Sequence, residues 1–344
     1  MNSSSIIVTG GAGYIGSHTL IELLNNTGYN IISVDNFSNS SESTYNRVRE
    51  ITSKNFHAIN IDLCDYTQVE EKLSGFGNIA GIIHFAAFKS VPDSVADPIL
   101  YYHNNINSLT NILKFAKEKQ IANFIFSSSC SVYGNAESLP VTEDTPLQKA
   151  ESPYGHTKQI GEEIIRFFSN SNPWFNSVIL RYFNPVGAHM SGKIGELPIS
   201  KPNNLAPIIT QTAVGKNSLT VFGNDYNTRD GYCIRDYIHV TDIADAHLKA
   251  LAYIVEKRNK EKVSLFNLGT GNGVSVMEVI HAFEKVSNKK LDYKIGPRRE
   301  GDVVAVYANN NRAKKELGWN PKYNLDDMML SAWKWQLTLE RENS

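Results

Sequence analysis

A chain of 344 residues, with 34 Lys plus Arg against 35 Asp plus Glu, a formal charge of −1 and 41% hydrophobic residues, is long enough for two domains or one large α/β domain with an added lobe. Near-zero charge without a basic run excludes a nucleic-acid or membrane-surface footprint, so any anionic ligand must be small and met by a few local cations. Cys64, Cys130 and Cys233 lack CxxC spacing and the histidines form no HExxH pair, which excludes a disulfide framework and a metal site and predicts a reducing, cytoplasmic compartment.

Neither a signal segment nor a run of roughly 18 apolar residues is present, so no membrane partner is expected. From Ile6 to about Asn184, short β-branched runs alternate with segments of helical period, the pattern of βαβ units and a parallel sheet. The first strand, Ile6–Thr9, runs into Gly10-Gly11-Ala12-Gly13-Tyr14-Ile15-Gly16, glycines at GxxGxxG spacing where a strand turns into a helix. Glycine is needed there for a tight turn and for close approach of a pyrophosphate, which the helix N-terminus attracts. The second strand, Ile31–Asp35, ends on an acid 19 residues after Gly16, suited to an adenosine ribose and repelling a 2′-phosphate, so NAD is favoured over NADP.

Phe56–Ile61 and Gly81–Phe85 are the next predicted strands. Asp97 to Lys119 opens with an N-cap and a proline and carries Ile106, Leu109, Leu113 and Ala116 at helical spacing. The strand Asn123–Ser127 closes on Ser127-Ser128-Ser129, at the carboxyl edge where open α/β sheets bind ligands; turn chemistry accounts for most of these hydroxyls, and one need be functional. Ser152-Pro153 then starts a helix carrying Tyr154 and Lys158, four apart on one face, so a phenol and an ammonium reach a common site and the cation is expected to lower the phenol pKa. After a sixth strand, Val178–Phe183, the text turns Pro- and Gly-rich and reads as loops and short elements of a second lobe, with a return to the first sheet at about 236–258. His239 and His247 read as structural or solvent-facing.

The glycine turn, strand-end serine and Tyr-Lys pair resemble those of the extended short-chain dehydrogenase/reductases. Six strings, Ile82 to Val91, Arg181 to Gly187, Pro202 to Pro207, Phe222 to Tyr226, Arg235 to Val240 and Pro297 to Asp302, are similar to the UDP-glucose 4-epimerase family within them. The resemblance implies a Rossmann-type doubly wound parallel sheet over 1–184 that binds NAD, and a smaller mixed α/β lobe over 185–344 that binds a UDP-sugar. It implies Tyr154 as base, Ser129 as its partner and Lys158 as activator. The NAD set it implies is Gly10, Gly13, Tyr14, Ile15, Gly16, Asp35, Asn36, Asp62, Leu63, Phe85, Ala86, Lys89, Asn104 and Phe183, with the three catalytic residues. The substrate set is Asn184, Asn204, Leu205, Phe222, Arg235, Arg299, Asp302 and Val306, joined by Lys89, Ser129 and Tyr154. Spacing leaves open a salt bridge of Arg235 with Asp236 and of Arg299 with Glu300, a solvated Lys89 and a locally bonded Asn104.

The reaction implied is interconversion of UDP-galactose and UDP-glucose in galactose metabolism, by C4 oxidation, rotation of the 4-keto sugar and re-reduction on its other face. Two positions depart from the family pattern. Ala87 stands where some members have Gly, and Val306 stands at a gate beside the sugar where a bulky Tyr restricts N-acetylhexosamines, so activity on UDP-N-acetylhexosamines is also expected. Competing readings are a nucleotide-sugar dehydratase or decarboxylase, disfavoured because Cys130 and Ser131 follow Ser129 where the elimination acids would stand, and a silent NAD-sensing regulator. The resemblance also implies a homodimer packed through 97–119 and 153–168.

Overall fold

The structure is a computed structural model and describes residues 4–198, 202–299 and 303–342. Strands β1 (Ser5–Thr9), β2 (Asn30–Asp35), β3 (His57–Asn60), β4 (Ile79–His84), β5 (Asn123–Ser129) and β6 (Asn176–Tyr182) fall within a few residues of the predicted positions. Between them run α1 (Tyr14–Asn26), α2 (Ser43–Thr52), α3 (Tyr66–Leu73), α4 (Val91–Ala96), α5 (Pro98–Glu118) and α6 (Pro153–Ser171). Asp97 caps α5 as its sequence predicts, its carboxylate accepting from the Leu100 amide at 3.0 Å.

All the pairings of the main sheet are parallel, and helices cover both of its faces. Alternation along β1 sorts the two cores: Ile6 and Val8 pack with α1 residues such as Leu20 and Leu24, while Ile7 packs on the opposite face with Leu109, Leu113 and Ile165. Sheet order places β1 beside both β2 and β4, so connections diverge there and leave a crevice at the carboxyl ends of the strands.

The second half of the chain adds β7 (Asn184–Val186), α7 (Leu205–Ala213), β8 (Leu219–Phe222), β9 (Ile234–Arg235), β10 (Tyr237–His239), α8 (Val240–Val255), β11 (Val263–Leu268), β12 (Val274–Ser275), α9 (Val276–Ser287), β13 (Tyr293–Gly296), β14 (Ala305–Val306) and α10 (Leu325–Glu342). The return to the first sheet is made differently from the expectation. β10 pairs with β7 in a separate two-stranded sheet, α8 packs on the main sheet, and β11 is the strand that joins it, as the seventh, beside β6. Ser264 and Asn267 interrupt the apolar run of β11, which hides it from a reading by hydropathy. The lobe also holds more than loops: α9 and α10 build a third core with Ile209, Val221, Phe283 and Met329. Ser275 and Glu278 form a reciprocal capping box at the start of α9, an S-x-x-E signal present in the sequence. Among the described residues no helix is long and apolar enough to cross a membrane, and no group of metal ligands gathers.

Candidate active site

The crevice at the switch point is a cleft with about 970 Å³ of empty space, open to solvent. β1 delivers the chain into Gly10, whose φ of +70° and 2.7 Å gap between an added Cβ and the Ala86 amide nitrogen exclude other side chains. Gly13 caps α1 without a side chain, and the first turn holds no acid, so its amides stay available for an anion. Asp35 stands at the end of β2, accepting from the Ala12 amide at 2.9 Å, the Phe37 amide at 2.9 Å and Ser40 Oγ at 2.7 Å. These features fit an extended dinucleotide, with pyrophosphate on the α1 amides and an adenosine ribose on Asp35.

Of the NAD set, Gly10, Gly13, Tyr14, Ile15, Gly16, Asp35, Asn36, Asp62, Leu63, Phe85, Ala86, Lys89, Asn104, Tyr154 and Lys158 line this cleft. Ala87 lines it as well, so the methyl that departs from the family pattern does face the site. Phe183 is buried just beyond β6 with Val132, Tyr133 and Val141 rather than on the cleft wall. The sequence reading missed Ser38, Asn39 and Ser40, whose Ser/Asn run directly after Asp35 was the available signal, together with Ser108 and Tyr182.

Ser152 caps α6 by accepting from the Gly155 amide at 3.1 Å, which fixes Tyr154 in the first turn, buried at the cleft. Burial pushes the Tyr154 phenol up to about 12, and the hydroxyl of Ser129 pulls it down by hydrogen bonding. Ser129 in turn accepts from Ser131 Oγ at 3.0 Å. Lys158 stands close to the Tyr154 ring. Its Nζ lies over the ring, 6.0 Å from the centroid, and donates to the Ser127 carbonyl at 2.8 Å, so it is fixed beside the ring by the strand end. Burial lowers Lys158 itself to about 8, opposed by Glu162.

Ser127 and Ser128 have structural partners. Ser127 Oγ meets His247 Nε2 at 2.9 Å, and Ser128 Oγ donates to Glu162 Oε1 at 2.6 Å. His247 and His239 are both fully buried, and His239 caps α8 through Thr241, so their role is structural. The Cys130 thiol is pushed up to about 12 by burial, which leaves it without thiolate character near neutrality.

The substrate set gathers in two places on the second lobe. β9 lies between β12 and β14, with Val306 opposite Arg235 in register, and Arg235 Nη1 donates to the Val303 carbonyl at 2.8 Å. Val306 is half-buried against the cluster that holds Phe183. Asp236 directs its carboxylate at the Thr270, Gly271 and Ala308 amides and the Thr270 hydroxyl. Elsewhere, the Arg299 guanidinium lies 5.7 Å over the exposed ring of Phe222 at the end of β8. Lys89 is no free loop lysine: it donates to Glu196 Oε1 at 2.7 Å, and Asn204 Nδ2 donates to the same oxygen at 2.7 Å. Asn104 donates to Asn105 Oδ1 at 3.0 Å, a local bond compatible with its place on the cleft. Asn184 opens β7 opposite Tyr237, and Leu205 opens α7, both half-buried. Asp302, and Glu300 as the alternative partner of Arg299, lie outside the described residues.

Residues 7–331 match the protein-family model described as GDP-mannose 4,6 dehydratase. The chain is 49% identical over 334 residues to the UDP-glucose 4-epimerase of Bacillus subtilis, covering 96% of each protein. Among solved structures, it superposes with a TM-score of 0.92 and 46% identity on the UDP-glucose 4-epimerase of Bifidobacterium longum in complex with NAD+ and UDP, covering 97% of this chain and 98% of that one. The UDP-Glc/GlcNAc 4-epimerase of Campylobacter jejuni is similar at 37% identity and a TM-score of 0.84, over 98% and 100% of the two chains.

Proposed function

The chain belongs to the UDP-glucose 4-epimerase family (EC 5.1.3.2), and we propose that it interconverts UDP-galactose and UDP-glucose through Tyr154, Ser129 and Lys158. One observation supports this reading: Tyr154 and Lys158 line a dinucleotide cleft and Ser129 hydrogen-bonds the Tyr154 phenol, while the residues following Ser129, Cys130 and Ser131, bring no carboxylate for the elimination a 4,6-dehydratase requires. NAD bound in the cleft supplies an acceptor for the C4 hydride and the donor that returns it. Tyr154, as the phenolate, takes the proton of the 4-hydroxyl to become the phenol and later gives it back, and Ser129 donates to the phenolate oxygen before the transfer. Lys158 places a positive charge behind both. Arg235 and Arg299 offer forked donors to the diphosphate. They work with Asn184, Asn204, Leu205, Phe222 and Asp302 to hold the nucleotide end while the hexose turns over. Purified protein incubated with UDP-galactose, with no cofactor added, is expected to form UDP-glucose by proton NMR; no product even after NAD is supplied overturns the reading.

Substrate range rests on Val306. Its short branched side chain, half-buried beside Arg235, is smaller than a tyrosine ring, and a relative named for both UDP-Glc and GlcNAc shares the fold. The protein is therefore expected to turn over UDP-N-acetylgalactosamine. Val306→Tyr is expected to lower that rate at least about tenfold, the scale set by differential fit, while UDP-galactose turnover persists; equal loss on both substrates removes the gate.

A homodimer fits the apolar face of Val95, Ile99 and Leu100, which are 62%, 74% and 46% exposed, and of Phe167, 72% exposed. Light scattering is expected to give twice the chain mass, falling to the monomer in Ile99→Glu; a monomeric wild type sinks the proposal. The three free cysteines fit the cytoplasmic compartment proposed for galactose metabolism.

A further inference from the structure

Glu162 is a buried carboxylate that the reaction outlined above does not use. It lies one helical turn after Lys158 and two after Tyr154 on α6, with 3% of its side chain exposed. Oε1 accepts from Ser128 Oγ at 2.6 Å and Arg181 Nε at 2.8 Å, and Oε2 accepts from Arg181 Nη2 at 2.5 Å. Arg181, on β6, is equally buried, and its guanidinium stacks 4.8 Å over the Tyr133 ring. A buried pair of this kind is weak evidence for stability, since apolar residues of similar volume often serve as well. Its location supplies another reason for it.

Three consecutive residues at the end of β5 are each tied to the same face of α6. The Ser127 carbonyl receives Lys158, the Ser128 hydroxyl reaches Glu162, and the Ser129 hydroxyl meets Tyr154. Glu162, tied to the middle one of these three strand residues, thus fastens β5 to α6 between the contacts of Lys158 and Tyr154. It also supplies negative charge to Lys158 from below. The other titratable groups around Lys158 and Tyr154 are His84 on β4, Tyr101 on α5, Cys130 in the turn after β5 and Tyr182 on β6. Burial lowers His84 to about 3 and raises the two tyrosines and the cysteine, so all four are uncharged near neutrality. The charges left are Glu162 and Arg181, and Arg181 cannot keep an ammonium protonated.

We propose that Glu162 is a positioning residue for the epimerisation: it sets the register of α6 against the end of β5 and holds Lys158 in its charged form beside Tyr154. This rests on the role given to Tyr154 and Lys158 above. Without the carboxylate, Lys158 loses its proton at lower pH, so Tyr154 is left without a cation from a lower pH onward than before. The bell-shaped dependence of kcat on pH therefore narrows.

The test is Glu162→Gln, which keeps the shape and the Ser128 contact while removing the charge. The expected result is a basic limb moved down by about one pH unit, so that kcat for UDP-galactose falls about twofold at about pH 7 and about tenfold on the basic limb, with KM within about twofold. A role confined to packing would lower the melting temperature and leave the limb in place, so an unmoved limb overturns the proposal. Because Glu162→Gln leaves Arg181 buried without its anion, the double variant Glu162→Gln, Arg181→Met provides a second chain from which the same limb is read. An ultraviolet titration of the Tyr154 phenol, taken against Tyr154→Phe, separates the two layers of the argument. A wild type with no turnover defeats the epimerase reading, whereas an active wild type whose phenol and pH limbs do not move in Glu162→Gln defeats this one.

Discussion

Replacing Tyr154 with Phe is expected to lower kcat for UDP-galactose by about 10²–10⁴-fold, the range a positioned general base contributes, with little change in KM. The substitution deletes one oxygen from a side chain only 8% exposed, and the ring keeps its packing. Ser129 loses the phenol but keeps Ser131, which donates to it at 3.0 Å, so the cost in stability should be about 1 kcal/mol, that of one hydrogen bond. A near-normal melting temperature together with the large loss of rate would therefore assign the effect to chemistry. The pH dependence sharpens the test. Burial holds the free phenol near 12, so only a small fraction is ionised at neutrality, and the wild-type rate should climb with pH until Lys158, near 8, begins to lose its charge. In Tyr154→Phe the rising limb should vanish. A variant that turns over at the wild-type rate, or keeps that limb, excludes Tyr154 as the base.

The same two side chains mark how far residue spacing carries. That Tyr154 and Lys158 share a helix face is a local property of i and i+4 positions, and a Ser-Pro helix start nearby makes the helix itself legible. What the ammonium does with its proximity is decided by β5, brought against α6 by the sheet: it donates to the Ser127 carbonyl while lying 6.0 Å from the Tyr154 ring centroid. The phenol's lowering influence then comes from Ser129, on the strand. Glu162 followed the same helical spacing in plain view, but nothing local distinguishes a buried glutamate from a solvated one; Arg181 on β6, 19 residues on, makes the difference.

Strand legibility followed the same division. β1, β2, β4, β5 and β6 are short, largely apolar runs covered by helices, where burial on both faces demands apolar residues and the text shows it. β11 sits at the sheet edge with Ser264 and Asn267 in its run, and β9, β12 and β14 are two residues each, held by register rather than by composition. The pairing of Val306 with Arg235 is therefore a product of tertiary structure. Both residues were reached through the resemblance of their surrounding strings, since neither stands out by period or spacing. Asp236, adjacent to Arg235 in sequence and the obvious partner for a salt bridge, instead organises four donors from two other segments.

Gly16→Ala is expected to empty the cofactor cleft. An alanine within a helix ordinarily stabilises a protein relative to glycine, by about 0.4–1 kcal/mol through the unfolded chain. At Gly16 that sign reverses, because the added Cβ would lie 2.2 Å from the Gly10 carbonyl oxygen and 2.9 Å from Gly11 Cα. Both obstacles are backbone, so no side chain can rotate aside; either α1 lifts from the turn or the turn itself shifts. The cost is that of overpacking, about 1–3 kcal/mol. The turn is held by the bond from the Ala12 amide to Asp35, and Gly10 touches the backbone at Ala86, so movement there disturbs the anion site and the ribose acceptor together. NAD recovered from purified Gly16→Ala should fall about tenfold or more against wild type, as expected for losing 1.4 kcal/mol or more of binding. Gly75→Ala is the control, since a Cβ there meets nothing within 4 Å, and it should keep both NAD content and melting temperature. If Gly16→Ala retains NAD at the wild-type ratio with unchanged melting, the close contact of α1 with the glycine turn does not form the pyrophosphate site, and the cofactor reading of the cleft loses its structural basis.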